Sequence, residues 1–455
     1  MRFRLTRLPA AARNAVSLSG MVVATAAAVL FLALFLLEIL GFVSSPYIGL
    51  IVFVAVPAVF VMGLLLVPLG TWRARHRRAT TAQIEQAWPV LDFGDPHQRT
   101  VFAGVIALTL VNLLIVSIAA YGGVHYMESS EFCGNVCHTT MEPQYSAYQV
   151  WPHARVACAE CHVGLGAGAL VESKLAGARQ LFHVVTRRVP TPVPTPAQSL
   201  RPARETCEQC HWPEKFHGDK TRIIREYGND EANTETVTTL QLHVGGGSRA
   251  IGIGTGIHWH MNLDNQIEYI ATDASRETVP YVRFTNRDGQ VREYVAPGIT
   301  PADISGGTRR RMDCIDCHNR PAHTFHPTPE RAVDAAIAQG RLPRELPFAR
   351  RESIAAVSGE YPDRAAALAA IAQRLEDFYR ERTPADGRLV QRAVAASQEA
   401  WSRNVFPAMK VTWGTYRNYL GHVDAPGCFR CHDDEHKAAD GSVIRQDCEL
   451  CHTLE

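Results

Sequence analysis

Net charge is nearly absent from this chain. Its 46 Lys and Arg against 45 Asp and Glu leave a formal +1 over 455 residues. That balance gives no case for nucleic acid or for a strongly charged partner. Unpaired cysteine is absent too: the chain has twelve, and every one falls in a closely spaced pair. The glycine-rich stretch "HVGGGSRAIGIGTGIHWHMN" lacks the Lys-Ser/Thr of a phosphate loop and the dinucleotide spacing, so it is not read as a nucleotide site. The glycines are expected instead to let backbone approach a cofactor face.

Ten of the cysteines form five Cys-x-x-Cys-His motifs: Cys158/Cys161/His162, Cys207/Cys210/His211, Cys314/Cys317/His318, Cys428/Cys431/His432 and Cys448/Cys451/His452. In a sixth, "EFCGNVCH", Cys133 and Cys137 are separated by three residues before His138. Only 19 of 455 residues are His, so a His directly after every second Cys is not chance. Two thiols that add across the haem vinyl groups, with the next imidazole brought under the iron, need this spacing. Zinc would need two Cys pairs to close a tetrahedron and no His after each pair. A disulfide framework has no use for the histidines. The chain is therefore expected to carry six covalent haem c groups, the first with a bulged linker. Their propionates make the assembled protein more acidic than its sequence. Their flat apolar surfaces replace part of a side-chain core.

Three apolar runs precede the motifs, about Val16 to Val43, Ile48 to Leu69 and Val101 to Tyr121. Each reaches the roughly 20 residues that span a bilayer. The first is too long for a signal-peptide core, and a second span follows after the short turn "SSPY". Arg2, Arg4, Arg7 and Arg13 precede the first run, and Arg73, Arg75, Arg77 and Arg78 follow the second. Basic residues stay on the cytoplasmic side. The N-terminus and the 71–99 loop are thus expected in the cytoplasm of a bacterium, with all six motifs in the periplasm beyond the inner membrane. Glu38, near the outer end of the first span, is a candidate functional carboxylate. It can also be an interfacial side chain reaching for headgroups.

The fold class expected is mainly α and irregular: three transmembrane helices, then a periplasmic multihaem domain with a small β-rich insertion. Residues 1–123 form the membrane domain and 124–219 a trihaem domain. There "VESKLAGARQLFHVV" reads as a helix bearing Lys174 and His183, and "RRVPTPVPTPAQ" breaks it. Residues 220–310 are the β-rich insertion, with a hairpin turning at "NRDGQ". Residues 311–455 form a second trihaem domain that contains a haem-free helical segment, 328–405. In that segment Thr328 caps, Gly340 stops, and Leu368, Ile371, Leu375 and Phe378 recur at helical spacing as a core stripe.

Iron that only transfers electrons is held on both faces. Catalysis at haem needs an open position. Besides the six motif histidines and the cytoplasmic His76 and His97, eleven remain: His125, His153, His183, His217, His243, His258, His260, His323, His326, His422 and His436. That surplus favours a wire over an enzyme.

"CHTTMEPQYSAYQVWPHARVACAECHVG", the Lys/His helix and the "VPTP" segment resemble the NapC/NirT family over about residues 108 to 218. These are membrane-anchored multihaem cytochromes that oxidise quinol at the outer face of the inner membrane. "MDCIDCHNRPAH", "FPAMKVTWGTY" and "GHVDAPGCFRCHDDEH" resemble its larger members. The resemblance implies Met141 as a ligand of the first haem and Lys174 as a basic residue that places the quinol head. Three features depart from the family pattern: the bulged first motif, Gln180 where some members carry an acid, and three spans in place of one. Glu38 or another membrane residue is therefore a further candidate for the quinol site. His183, His217, His323, His422 and His436 are the preferred distal ligands, joined by His258 or His260, with His326 and His153 behind them.

The function expected is quinol dehydrogenation. Menaquinol is oxidised at the membrane, and electrons run along the haems to a periplasmic cytochrome or reductase, or onward to an extracellular respiratory acceptor. The rivals are an electron-transfer subunit of a larger membrane complex and a terminal haem reductase. The absence of a Cys-x-x-Cys-Lys motif disfavours the latter.

Overall fold

Small residues bring the first two helices together. In a computed structural model that describes residues 14–39, 51–79, 94–164, 167–196, 202–246, 254–381 and 386–454, α1 (Ala15–Ile39) packs along α2 (Val56–Ala79), and α3 (Pro96–Glu128) follows. A Cβ on Gly63 would lie 2.6 Å from the Ala24 nitrogen, and one on Gly20 2.8 Å from the Gly63 carbonyl oxygen. Lipid offers no hydrophobic force to pair helices, so close backbone approach and hydrogen bonds must do it. The buried Ser17 hydroxyl accordingly donates to the Val67 carbonyl at 2.9 Å. Phe31, Val52, Val56 and Phe60 close this core with Ile115 and Ala119 of α3.

Ala15–Leu37, Ile51–Ala74 and Gln98–Glu128 are long and apolar enough to cross a membrane. They coincide with the three expected spans. Glu38 lies in the last turn of α1, but its side chain is outside the described residues, as are Arg2, Arg4, Arg7, Arg13 and the 80–93 stretch.

The chain divides into two compact units, Met1–Val136 and Cys137–Glu455. In the second, the helices are α4 (His138–Tyr148), α5 (Cys158–His162), α6 (Ala167–Val185), α7 (Ala203–Cys207), α8 (Pro301–Ile304), α9 (Cys314–Cys317), α10 (Pro329–Ala338), α11 (Ala349–Val357), α12 (Arg364–Arg380) and α13 (Gly387–Asn404). The strands are β1 (Lys220–Tyr227), β2 (Glu235–Leu242), β3 (Gln266–Ala271), β4 (Tyr281–Thr285), β5 (Val291–Val295), β6 (Thr308–Arg311), β7 (Lys437–Ala438) and β8 (His452–Leu454). They form two antiparallel sheets, β1-β2-β8 and β6-β3-β4-β5-β7.

The expected boundaries at 219 and 310 both fall inside the second unit. Leu242 pairs with His452 and Tyr294 with Ala438, so the C-terminal segment completes both sheets. The β4–β5 hairpin turns where expected, with Asn286 Oδ1 accepting from the Asp288 and Gln290 amides and Gly289 at φ +77.

Helices α10 to α13 form the haem-free lobe around Val333, Leu342, Leu346, Ile371, Leu375 and Trp401. Thr328 accepts from the Arg331 amide as the expected cap, and Gly340 ends that helix at φ +69. Of the expected α12 stripe, Ile371 and Leu375 are fully buried, and Phe378 packs partly against them. The β1–β2 hairpin locks onto this lobe through Asn233, which is fully buried at φ +48. Its amide donates to the carbonyls of Arg344 (2.9 Å) and Leu346 (2.8 Å), and its oxygen accepts from the Arg350 amide at 2.9 Å.

Candidate cofactor site: facing histidines beside the cysteine pairs

Each regular motif sits on a single helical turn. The His211 amide reaches the Cys207 carbonyl at 2.8 Å, His318 reaches Cys314 at 2.8 Å, and His432 reaches Cys428 at 3.1 Å. One turn puts the two thiols on one side, with the imidazole immediately after them. In the motif that begins at Cys314, Asp313 and Asp316 form a capping box around α9. The bulged motif is accommodated differently. Phe132–Val136 winds as a π turn, which takes up the one extra residue between Cys133 and Cys137. The His138 side chain is outside the described residues. Met141 lies one turn along α4, its amide on the Cys137 carbonyl at 3.0 Å.

Five of the motif histidines face a second histidine. Ring centroids are 6.1 Å apart for His162 and His323, 6.1 Å for His211 and His153, and 6.2 Å for His318 and His258. They are 5.8 Å apart for His432 and His260, and 6.2 Å for His452 and His422. Bonds of about 2 Å from imidazole nitrogen to metal, on opposite sides of one ion, set ring centres about 6 Å apart. The pairs therefore have the separation of two axial ligands with an iron between them.

Hydrogen bonds orient the same rings. Nδ1 of His153, His323, His258 and His260 lies 2.9, 3.0, 3.0 and 2.8 Å from the carbonyls of Pro321, Gln144, Val244 and Ile257. A carbonyl can only accept, so Nδ1 carries the proton and Nε2 keeps its lone pair for a metal. Burial pushes His323 down to about 4 and lowers His258 and His260, which keeps these rings neutral.

One short turn supplies two of these facing histidines. His258 and His260 stand on the 3₁₀ turn Ile257–Met261 and face different motifs. The glycines before it bring backbone against backbone. Gly256, at φ +72, has space for no Cβ, which would lie 2.4 Å from the His243 carbonyl oxygen. They thus shape the turn that bears the histidines, a more specific role than the expected approach to a cofactor face.

Thiol neighbours place the motifs in a series. Cys161 lies within electrostatic reach of Cys207 and Cys210, and Cys207 hydrogen-bonds with Cys314. Cys317 neighbours Cys428 and Cys431, and Cys451 neighbours Cys428. These neighbours link the motifs at 158, 207, 314, 428 and 448 each to the next. Arg430, inside its motif, ties two members together. Its guanidinium donates to the carbonyls of Gly427 (2.7 Å), Arg276 (3.0 Å) and Asp316, the last inside the preceding motif. The Asp316 carboxylate is buried and accepts from the Tyr269 hydroxyl at 2.6 Å and the Asp313 amide at 2.7 Å.

The chain belongs to the NapC/NirT cytochrome c family. Residues 96–201 match the N-terminal region of that family. The chain is also 41% identical over 448 residues to the cytochrome c-type protein ImcH of Geobacter sulfurreducens, an alignment covering 97% of this chain and 88% of that protein. No solved structure matches it significantly. It is accordingly a membrane-anchored c-type cytochrome with covalently bound haem c, and it transfers electrons.

Within this family member, two of the expected distal ligands, His436 and His217, face no motif histidine among the described residues. His436 is 2% exposed, with Nδ1 on Asp433 Oδ2 at 2.8 Å and Nε2 on the Val279 carbonyl at 2.7 Å. Both its ring nitrogens are engaged by protein groups. His217 is exposed, its Nδ1 2.7 Å from the Lys215 carbonyl, and each of the five regular motifs already has another imidazole opposite it. His153, ranked behind in the sequence, takes the place opposite His211. Its signal was the position just ahead of the second motif, in "WPHARVACAECH". His258 and His260 both pair, where one had been expected. His183 faces no second imidazole among the described residues, and its Nδ1 is buried without a hydrogen bond. His326 also has no facing imidazole among them. Lys174 is half-buried on α6, at helical spacing from the exposed Leu181 and Val185.

Proposed function

We propose that this cytochrome carries six covalent haem c groups, oxidises a membrane quinol such as menaquinol, and delivers the electrons to a periplasmic cytochrome or reductase. The observation that carries this reading is the unbroken series of five facing imidazole pairs in sequence order.

Bound haem c supplies iron that accepts and gives one electron at a time. The cysteine pairs hold each group covalently: Cys133/Cys137, Cys158/Cys161, Cys207/Cys210, Cys314/Cys317, Cys428/Cys431 and Cys448/Cys451. In the five regular sites the motif histidine and the histidine that faces it would hold the iron. At the first site His138 would do so, with Met141 or His183 as the second candidate. That site is the exception, and it adjoins the membrane unit along the chain.

Oxidising one quinol releases two electrons and two protons. Lys174, half-buried on α6, is the basic residue that would hold the quinol head. Glu38 is the second candidate for that role. The motifs at 158, 207, 314, 428 and 448 neighbour one another in that order and would carry electrons from the first motif toward the last. On this reading the N-terminus is cytoplasmic and the haem domain periplasmic, on the bacterial inner membrane. The acceptor then docks near His452.

The test is anaerobic. Protein in mild detergent is oxidised, a menaquinol analogue is added, and the haem α-band is followed against a dithionite endpoint. Rapid reduction of a substantial fraction is expected, and an intact mass with six haem additions. No reduction with all haems present would overturn the quinol reading.

A further inference from the structure

The membrane unit contains a groove that the electron-transfer series does not use. It has a volume of about 490 Å³ and is lined by Phe31, Phe53, Phe60, Met62, Ile115 and Ala120, among others, without one polar residue. Its floor is buried: Phe31 is 1% exposed and Phe60 2%. Its mouth is open at Met62 and Leu65, 51% and 64% exposed. The volume is that of a site for one small lipid-like molecule.

Aromatic rings lead from the groove to the first cysteine motif. Phe31 stacks on Phe35 at 5.7 Å, Phe35 meets Phe53 at 6.2 Å, Phe53 meets Tyr126 at 6.2 Å, and Tyr126 meets Phe132 at 5.3 Å. Phe132 directly precedes Cys133. α3 is shaped around this path: a Cβ on Gly122 would lie 2.5 Å from the Phe53 ring, and one on Gly123 2.9 Å from the Phe53 carbonyl oxygen.

We infer that the groove holds the polyisoprenoid tail of a quinol, and that the aromatic series guides its head group toward the first motif. The inference rests on the quinol reading above and adds the place where the substrate is held. A phospholipid acyl chain is the competing occupant, but no polar side chain in the lining could pair with its headgroup. A lipid also has no reason to lie beside a path of rings that ends at a redox site. A flat quinol head stacks on such rings. The two additional spans then have a purpose, because one helix suffices to anchor a protein but three are needed to enclose a groove.

Two measurements decide it. First, full-length protein in nanodiscs is photolysed with a menaquinone analogue bearing a diazirine on its tail. Adducts on the peptides of α2 and α3 are expected, competed by unlabelled long-tailed menaquinone and not by phosphatidylglycerol. Second, Ala120→Phe and Ala58→Phe each fill the groove from an exposed lining position. Each is expected to raise KM for long-tailed menaquinol about tenfold while leaving reduction by tailless menadiol unchanged. Haem content and thermal midpoint control for folding, and either variant alone suffices. Adducts displaced equally by phosphatidylglycerol, or an unchanged KM for the long-tailed quinol, would overturn the inference. If neither quinol reduces the wild-type protein, the quinol reading falls by itself, and the cross-linking alone then decides whether the groove takes an isoprenoid chain.

Discussion

His258 and His260 leave one 3₁₀ turn and face different partners, His318 at 6.2 Å and His432 at 5.8 Å between ring centroids. Only Trp259 separates them. Two facing histidines this close along the chain tie the motifs at 314 and 428 to one short turn. Arg430 fixes the same pair of sites from the cysteine side, through the Asp316 carbonyl. The motifs at 314 and 428 are thus fastened to each other twice.

Removing either histidine should expose one iron and leave the rest. His258→Ala and His260→Ala are each expected to convert one iron from six-coordinate low-spin to high-spin. Electron paramagnetic resonance of the oxidised protein should show one high-spin equivalent per variant and two in the double variant. A single variant that disturbs both irons would mean that the turn, and not the ligand, is what matters.

His436→Phe should behave in the opposite way. The ring is buried and both nitrogens are engaged by protein groups. The haem spectrum should be unchanged. Stability should fall by about 1–3 kcal/mol, because the Val279 carbonyl and Asp433 lose a buried partner. A new high-spin signal would reinstate His436 as a ligand.

Arg430→Lys keeps the charge but loses the planar fork that reaches three carbonyls at once. We expect intact haem content, a loss of about 2–3 kcal/mol in a denaturant titration, and slower electron transfer to the last two motifs in stopped-flow spectra. Equal rates in wild type and variant would show that the clamp does not govern transfer.

Asn233→Ala should loosen the β1–β2 hairpin from the helical lobe. Two carbonyls and one amide lose their partner, at a cost of about 2–4 kcal/mol. Asn233→Gly relieves the positive φ and still lacks the contacts, so it should recover only the smaller backbone part. Hydrogen exchange in β1 and α11 reads the effect. Full recovery with Gly would assign the loss to backbone strain.

Gly63→Leu should separate the first two spans. Its Cβ would already lie 2.6 Å from the Ala24 nitrogen. Gly63→Ala should give a milder form of the same defect. Intramembrane cysteine cross-linking between α1 and α2 should fall in the order Gly, Ala, Leu. Unchanged cross-linking with Leu would mean that the helices do not rely on this contact.

By itself the sequence determined the class of cofactor, haem c, and the three spans. Each is a local statement: Cys-x-x-Cys-His is a single turn, and a span is a run of apolar residues long enough for the hydrocarbon core. The hairpin at Asn286–Gln290 and the cap at Thr328 were legible for the same reason. Only the tertiary structure decided which histidine stands opposite which. His323 meets His162 and His153 meets His211 across long stretches of chain, and no periodicity records such a meeting. It also set His436 apart from the facing histidines, because a buried imidazole with both nitrogens bonded looks the same in sequence as one with a free nitrogen. The groove was hidden likewise. Phe31, Phe53 and Ile115 read as three unrelated apolar residues until glycine contacts bring α1 and α2 together and α3 closes the third wall.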